Sequence, residues 1–208
     1  MKIQDLITKK IEIAEKRIIE LMKSGDLKKL SETDALMISK FFKDKSKNRL
    51  DSAKLIYSAS QNSGKFSLAN DYNDYAEAVA SAYYSMYYIV HSFLALKYRS
   101  KLSEDIRGVH AITEYIILYY LVKTKRLAKH LYEEYTRALE TTAQIQKITI
   151  EDFQEKAFEY VRKYDKNRSD RETFTYTITK SVEEYAAIHA IKIAEEFINI
   201  IKQIMAVK

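Results

Sequence analysis

The chain has no cysteine, no proline and only three glycines among its 208 residues. The absence of cysteine excludes disulfides, thiolate metal sites and a cysteine nucleophile. Without proline, no helix is forced to end by the geometry of the pyrrolidine ring, and Gly25, Gly64 and Gly108 mark the expected turns. The sequence therefore predicts long helices, in a length that suits one domain or one domain with an appended helical arm.

The chain also has little charge imbalance, with 35 basic against 29 acidic side chains and a net charge of +6. Such a mild excess does not by itself indicate nucleic-acid binding. The excess is concentrated in two segments, residues 40–54 and 162–171, and either of them could contact phosphate groups. The high lysine, glutamate and isoleucine contents are typical of a protein from a thermophile.

Residues 1–21 alternate charged side chains with isoleucine and leucine at helical spacing. A secretory signal peptide needs an uninterrupted apolar segment and a cleavage site with small residues, and this stretch shows neither. We therefore expect a cytoplasmic protein.

The most apolar stretch is residues 70–98, which contains no Asp, Glu, Lys or Arg between Ala78 and Leu96. A helix that is apolar nearly all round is covered by neighbours on most of its surface, so this stretch predicts the central helix of a bundle. With residue 70 or 71 as its N-cap, the helix would have about 28 residues. We expect no membrane insertion, because His91 and several tyrosine and serine hydroxyls would have no hydrogen-bond partner in lipid.

Capping residues and apolar spacing predict the helices that precede this centre. The first spans residues 4–23 and ends at Gly25 in the left-handed conformation. The second follows an N-cap at Ser31, with Asp34 at the partner position of the capping box. It could break at residues 43–48, where no apolar side chain occurs.

The C-terminal half continues with a polar loop at residues 100–110 and a helix that begins near His110. Rising charge at residues 123–126 indicates either a kink in this helix or the start of a fifth one. A short helix is predicted for residues 151–164, and Ser169 is the predicted N-cap of the last helix. No strand signal of comparable strength occurs.

These elements predict an all-α fold, an up-and-down helical bundle of four to five core helices with an N-terminal helical extension. Residues 1–30 form the extension and residues 31–208 the bundle in this interpretation. The last helix is expected to pack its apolar stripe onto the central helix.

The sequence contains no strong signal for a metal site or for nucleotide hydrolysis. It has no Glu-x-x-His pair of the kind that helical bundles use for metal, no glycine-rich phosphate loop and no dense acidic cluster. His130 and Glu133 share a helix face, but an exposed ion pair is the favoured interpretation. His91 is expected to be a hydrogen-bonded core histidine rather than a ligand. We therefore expect no metal and no cofactor.

Tyrosines cluster at residues 83–88 and 115–120. Tyrosine at helical spacing most often belongs to a core or to a subunit interface, with its hydroxyl reaching an edge. The same rings could instead be stacking platforms for bases.

Three features together resemble the HEPN family. A long helix reads A-x-A-Y-Y-S-M-Y-Y from Ala80, another helix begins with His110, and a basic segment that ends at Arg168 leads into the last helix. The resemblance covers about residues 40–205 and implies a four- or five-helix bundle that dimerises. In active members, an Arg and a His of an R-x(4–6)-H motif meet at the dimer interface and cleave RNA without metal. The histidine accepts the 2′-hydroxyl proton and the arginine holds the phosphate.

This chain departs from that motif at the histidine. Six residues after Arg168 stands Phe174, which can neither accept nor donate a proton. If Arg171 is the counterpart instead, the residue five positions on is Tyr176, a poor base near neutral pH. In HEPN toxins that are paired with a nucleotidyltransferase, a tyrosine two residues after the motif histidine accepts nucleotides, and Tyr176 matches that place.

The resemblance and the basic segment together predict an HEPN-like helical protein that binds RNA or nucleotides as a homodimer and is weak or inactive as a nuclease. The expected nucleic-acid contacts are Arg162, Lys163, Lys166, Arg168 and Arg171. One alternative is a metal-independent ribonuclease toxin, with Arg168 and Tyr176 as its catalytic residues and a nucleotidyltransferase as its partner protein. Another alternative is a dimeric protein–protein interaction scaffold.

Overall fold

The computed structural model describes residues 3–140, 142 and 169–207, with side chains described for residues 7–140, 142 and 184–207. The predicted all-α fold is confirmed, because the described part of the chain is a helical bundle. Its helices are α1 (Ile3–Ser24), α2 (Glu32–Gln61), α3 (Tyr75–Tyr98), α4 (Val109–Ile117, prolonged by a π-helical turn at Leu118–Val122), α5 (129–140) and α6 (Ser169–Ala206). A small antiparallel sheet pairs β1 (Leu27–Lys29) with β2 (Ser100–Leu102).

The predicted central helix is confirmed as α3, in which sixteen of the 24 residues are buried. Its start differs from the expected residue 70 or 71, because Asp74 is the N-cap and accepts a hydrogen bond from the Glu77 amide at 3.2 Å. The Asp74 amide also donates to Ser60 Oγ at 2.8 Å, so the start of α3 contacts the end of α2. None of the described helices combines the length and the hydropathy that crossing a membrane requires.

Helix α2 packs against α3 through small side chains. The buried residues of α2 are Ala35, Ser39, Ser46, Ala53, Ala59 and Ser60. Ser39 Oγ lies 3.0 Å from Ser92 Oγ, so a hydroxyl pair joins the two helices. Ser46 Oγ donates to the carbonyl oxygen of Ser85 at 2.8 Å, so the helices run antiparallel. The break considered at residues 43–48 does not occur, because a small serine rather than a large apolar residue occupies the interface in that turn.

Helix α1 contributes Ala14, Ile18 and Leu21 to the same buried core as α3. Gly25 follows it in the left-handed conformation at φ 81°, as predicted. The pairing of β1 with β2 corrects the expectation of a chain without strands. Each strand has only three residues and no alternation of apolar and polar side chains long enough to be recognised. The division of the chain at residue 30 stays a prediction.

Helix α4 runs in the same direction as α3. His110 near its start contacts Tyr83, whereas Tyr120 of the π-helical turn packs on Tyr98 with ring centres 4.0 Å apart. The segment from Ser100 to Gly108, which includes β2, connects the end of α3 to the start of α4. A separate helix, α5, begins at residue 129, which confirms a fifth helix rather than a kink.

Helix α6 packs on α3, as predicted, and runs parallel to it. Its Ala186 and Ala190 lie with Val79 near the start of α3, and Val207 lies with Lys97 near the end. The predicted N-cap at Ser169 is the first residue of α6. The side chains that would form the capping box, and the helix predicted for 151–164, lie outside the described residues.

Candidate nucleic-acid interface

Most of the predicted RNA-contacting residues fall outside the part of the chain that the structure describes. These residues are Arg162, Lys163, Lys166 and Arg168. Arg171 and Tyr176 lie on the described backbone of α6, near its start, but their side chains are outside the description. The binding role of this segment and the catalytic role of Arg168 and Tyr176 therefore stay predictions.

The other basic segment, residues 40–54, lies on α2 and is fully described. Lys45 Nζ is 5.1 Å from the centre of the Phe41 ring and 5.7 Å from the centre of the Tyr88 ring. Arg49 Cζ is 5.7 Å from the centre of the Tyr84 ring. Each cation is attracted to the electron-rich face of its ring, so charge and aromatic surface are held side by side.

We call this region the aromatic–basic surface, and it consists of Phe41, Phe42, Lys45, Arg49, Tyr84 and Tyr88. The rings form a continuous row: Phe42 stacks on Tyr88 at 6.0 Å with an interplanar angle of 22°, and Tyr84 lies 6.4 Å from Tyr88. Phe41 is 53% exposed and the other three rings are half-buried, so the row is accessible from solvent.

The cations of this surface are only partly neutralised. Arg49 pairs with Glu77 at 3.7 Å, but both side chains are nearly half exposed, and such pairs contribute little. Lys45 has no carboxylate partner within ion-pair distance in the described part of the chain. The positive charge of Lys45 is therefore available to an anion such as a phosphate group.

Two histidines contact Tyr87, the residue next to Tyr88 of this surface. The Tyr87 ring centre is 4.5 Å from that of His91 and 5.2 Å from that of His110. His91 is 5% exposed and its Nε2 lies 3.0 Å from Thr113 Oγ1, which confirms the predicted hydrogen-bonded core histidine. His110 Nδ1 lies 2.8 Å from the hydroxyl of Tyr83.

Burial keeps this cluster uncharged near neutral pH. It lowers the pKa of His91 to about 4, with a smaller contribution from His110, and it lowers the pKa of His110 as well. Burial also raises the pKa of Tyr87 to about 12 and the pKa of Tyr83 well above its ordinary value. These groups can therefore donate and accept hydrogen bonds, but they add no charge to the interface.

A cavity of about 360 Å³ opens beside the aromatic–basic surface. It is lined by Ile38, Phe41, Phe42, Tyr87, His91, Lys101, Leu102, Ser103, Glu104 and Val109. Phe41 and Phe42 belong to both features, so the cavity and the surface form one continuous region. Mainly apolar walls with a few polar groups are typical of sites for small organic ligands.

The described residues contain no group of three or more histidine or acidic side chains that could hold a metal ion. His130 and Glu133, the pair considered in the sequence, have different ion-pair partners in the structure. Glu133 lies 3.7 Å from Lys129, and His130 Nε2 lies 3.7 Å from Glu196 of α6. All four side chains are at least 40% exposed, which agrees with the interpretation as surface ion pairs.

Comparison with models of protein families, with curated proteins and with solved structures finds no match to this chain. The HEPN resemblance therefore stays a prediction. Function has to be inferred from the geometry of the described residues.

Sequence reasoning treated the tyrosines and the basic segment 40–54 separately and so did not find this surface. A signal for it exists in the spacing. Lys45 and Arg49 are four residues apart on α2, and Tyr84 and Tyr88 are four residues apart on α3, so each pair shares one helix face. Only the packing of α2 on α3 shows that the two faces adjoin.

Proposed function

We propose that this protein is an HEPN-like helical protein that binds single-stranded RNA or nucleotides through the aromatic–basic surface. The observation that carries the proposal is the position of Lys45 and Arg49 over the rings of Tyr88 and Tyr84. Proteins that bind single strands combine cations for the phosphates with aromatic rings on which bases stack. The HEPN resemblance leads to the same class of ligand.

The length of the surface suits a short segment of single-stranded RNA. Phe41, Lys45 and Arg49 follow one another at steps of four residues, which corresponds to about 12 Å along α2. Stacking on these rings would be tolerant of base identity, because every base has a π-face. The contribution of Lys45 would depend on salt, because phosphate binding releases counterions.

We propose further that nuclease activity is weak or absent. Neither Arg168 nor Arg171 is followed by a histidine at the spacing of the HEPN motif, and Phe174 and Tyr176 cannot replace its proton chemistry at neutral pH. The basic segment 162–171 would then add affinity for phosphate rather than a catalytic group. A homodimer would carry two such segments and two aromatic–basic surfaces.

Fluorescence anisotropy with a labelled, unstructured RNA in the presence of chelator tests the proposal. We expect the Lys45→Ala, Arg49→Ala double variant to weaken binding and to reduce the salt slope by about one to two. We expect Tyr88→Leu to weaken binding about fivefold or more, because stacking of one base contributes about 1–3 kcal/mol.

The matched control is Lys123→Ala. Lys123 Nζ also lies over a tyrosine ring, 5.1 Å from the centre of Tyr119, but Glu15 neutralises it. Equal RNA binding by the double variant and the control would contradict the proposed surface. Cleavage of the RNA in chelator, lost in Arg168→Ala, would instead support the ribonuclease alternative. An absence of any RNA binding by the native protein would favour the scaffold alternative.

A further inference from the structure

One ring nitrogen of His91 has no hydrogen-bond partner in the described part of the chain. The Thr113 hydroxyl donates to the carbonyl oxygen of Val109 at 2.7 Å, so its proton is already used. It must therefore accept the hydrogen bond from His91 Nε2, which lies 3.0 Å away. This assigns the neutral tautomer with its proton on Nε2 and leaves Nδ1 with a free lone pair.

His91 lines the cavity, and its unpartnered nitrogen is not fully closed off. No side-chain nitrogen or oxygen that is fully closed off from solvent lacks a partner among the described residues, so Nδ1 of His91 keeps some exposure. The side chain is 95% buried, and the space that it lines is the cavity of about 360 Å³. A hydrogen-bond acceptor at such a site favours a ligand that brings a donor, because an unpaired buried polar group is costly.

The walls around His91 select the shape of that ligand. The Phe42 ring centre lies 5.4 Å from the imidazole and the Tyr87 ring centre lies 4.5 Å from it, so flat aromatic surfaces border the acceptor. A planar ring can stack on such surfaces, and the remaining lining from Ile38, Leu102 and Val109 is apolar. A neutral lone pair disfavours an anionic group at the acceptor, so negative charge on the ligand must lie elsewhere.

The cavity has a cation, Lys101, that can bind a negatively charged group of the ligand. Lys101 lines the cavity and pairs with Glu104 at 3.2 Å. The Glu104 side chain is 84% exposed, so this pair is weak and Lys101 can exchange it for a stronger anion. The ammonium group of lysine binds phosphate as a point charge.

We propose that this cavity binds an AMP-like nucleoside monophosphate, with the exocyclic amino group of its base donating to His91 Nδ1 and with the phosphate directed to Lys101. The choice of a nucleotide rests on the proposed function. The cavity adjoins the aromatic–basic surface through Phe41 and Phe42 but contains two polar groups that the surface lacks, His91 of α3 and Lys101 of β2. The cavity would then select among bases, whereas the aromatic–basic surface beside it would bind any base.

Isothermal titration calorimetry of the full chain tests this with two probes that differ by one group. AMP carries an exocyclic amino group, and purine riboside 5′-monophosphate is the same nucleotide without it. We expect native protein to bind AMP at least tenfold more tightly than the analogue. In His91→Phe, which keeps a ring but removes the acceptor, we expect this preference to disappear.

Further variants separate the cavity from a folding effect. Ile38→Phe fills the cavity without touching its hydrogen bonds and should weaken AMP binding at least tenfold. His130→Phe makes the same chemical change at an exposed histidine and should leave AMP binding unchanged. No binding of AMP to native protein, or an undiminished preference in folded His91→Phe, would overturn the inference.

The proposed role of the aromatic–basic surface and the proposed cavity site can be refuted independently. RNA binding that depends on Lys45 and Arg49, together with no AMP binding, overturns the cavity and leaves the proposed function. AMP binding that depends on His91, together with RNA binding indifferent to Lys45 and Arg49, supports the cavity and removes the outer surface.

Discussion

Acid should destabilise this protein in a manner that depends on His91. The imidazole is buried, which lowers its pKa to about 4 in the folded state, and His110 adds to this effect. In the unfolded chain its pKa is about 6.5, so the unfolded state binds more protons between these two values. The stabilisation is therefore complete above about pH 6.5 and is lost as the pH falls through that range towards 4.

The size of the loss follows from the two pKa values. At pH 5, the difference in proton binding destabilises the fold by about 2 kcal/mol relative to neutral pH, and at pH 4 the loss reaches about 3 kcal/mol. The described side chains that contact the ring are Phe42, Tyr87 and Thr113. They carry no charge, so they do little to stabilise the protonated imidazole. The charged groups at the cavity, Lys101 and Glu104, pair with each other.

Urea unfolding at pH 7 and at pH 5 measures this loss. Native protein and His91→Phe share nearly all other titrating groups, so the difference between their pH effects isolates the imidazole. We expect native protein to lose about 2 kcal/mol more than the variant. Equal losses in the two proteins would refute the neutral, buried imidazole. His130→Phe removes an exposed histidine and should follow the native protein.

Three further predictions concern stability and use urea unfolding as the measurement. Glu114→Ala should cost about 1–3 kcal/mol, because Glu114 Oε1 accepts from the buried Tyr132 hydroxyl at 2.6 Å and from Lys10 at 3.2 Å, which joins α1 to α4 and α5. Ser46→Leu should cost about 1–3 kcal/mol, because a larger side chain overfills the close contact between α2 and α3. Gly25→Ala should cost about 1–2 kcal/mol, because its φ is 81° while no atom lies within 4 Å of the added methyl group.

Each of these has a matched control. Glu20→Ala removes an exposed carboxylate that pairs with Arg17, and a change above about 0.5 kcal/mol would contradict the contrast with Glu114. Lys47→Leu introduces the same side chain next to Ser46 but on the exposed side of α2, where it should be tolerated. Gly64→Ala adds a methyl group with equal space but without a positive φ, and a loss as large as that at Gly25 would contradict the conformational explanation.

Local signals in the sequence predicted several elements correctly because their causes lie within a few residues. Ser31 caps α2 and accepts from the Asp34 amide at 3.1 Å, as the capping sequence indicated. Gly25 adopts the left-handed conformation that an α1 C-terminus requires. The uncharged stretch before Leu96 predicted a covered helix, since a chain of that composition has no face suited to water.

The predictions that failed depended on contacts between distant residues. Residues 43–48 suggested a break because they lack large apolar side chains, yet a close helix interface can be built from serine and alanine. The start of α3 combines the local cap at Asp74 with a hydrogen bond from the Asp74 amide to Ser60 of the preceding helix, which no local capping rule includes. The strands β1 and β2 pair across more than 70 residues and are too short to show a pattern.

The candidate site was partly visible in the chain. Basic residues at 40–54 and tyrosines at 83–88 were both recognised as possible partners of nucleic acid, one for phosphate and one for bases. The contact between these two groups was not recognised, because it depends on the antiparallel register of α2 on α3. The cavity could not be anticipated at all, since its lining comes from α2, α3, β2 and the start of α4.

The sequence by itself determined that this chain is helical, which helix is central and where the first helices begin and end, because capping, glycine placement and the distribution of charge act over a few residues. The tertiary structure alone decided that Lys45 and Arg49 lie over tyrosine rings and that His91 lines a cavity. Those outcomes depend on how closely two helices approach and in which register. Small side chains such as Ser46 and Ser85, about 40 residues apart in the chain, set that approach through packing and hydrogen bonds that form only on folding.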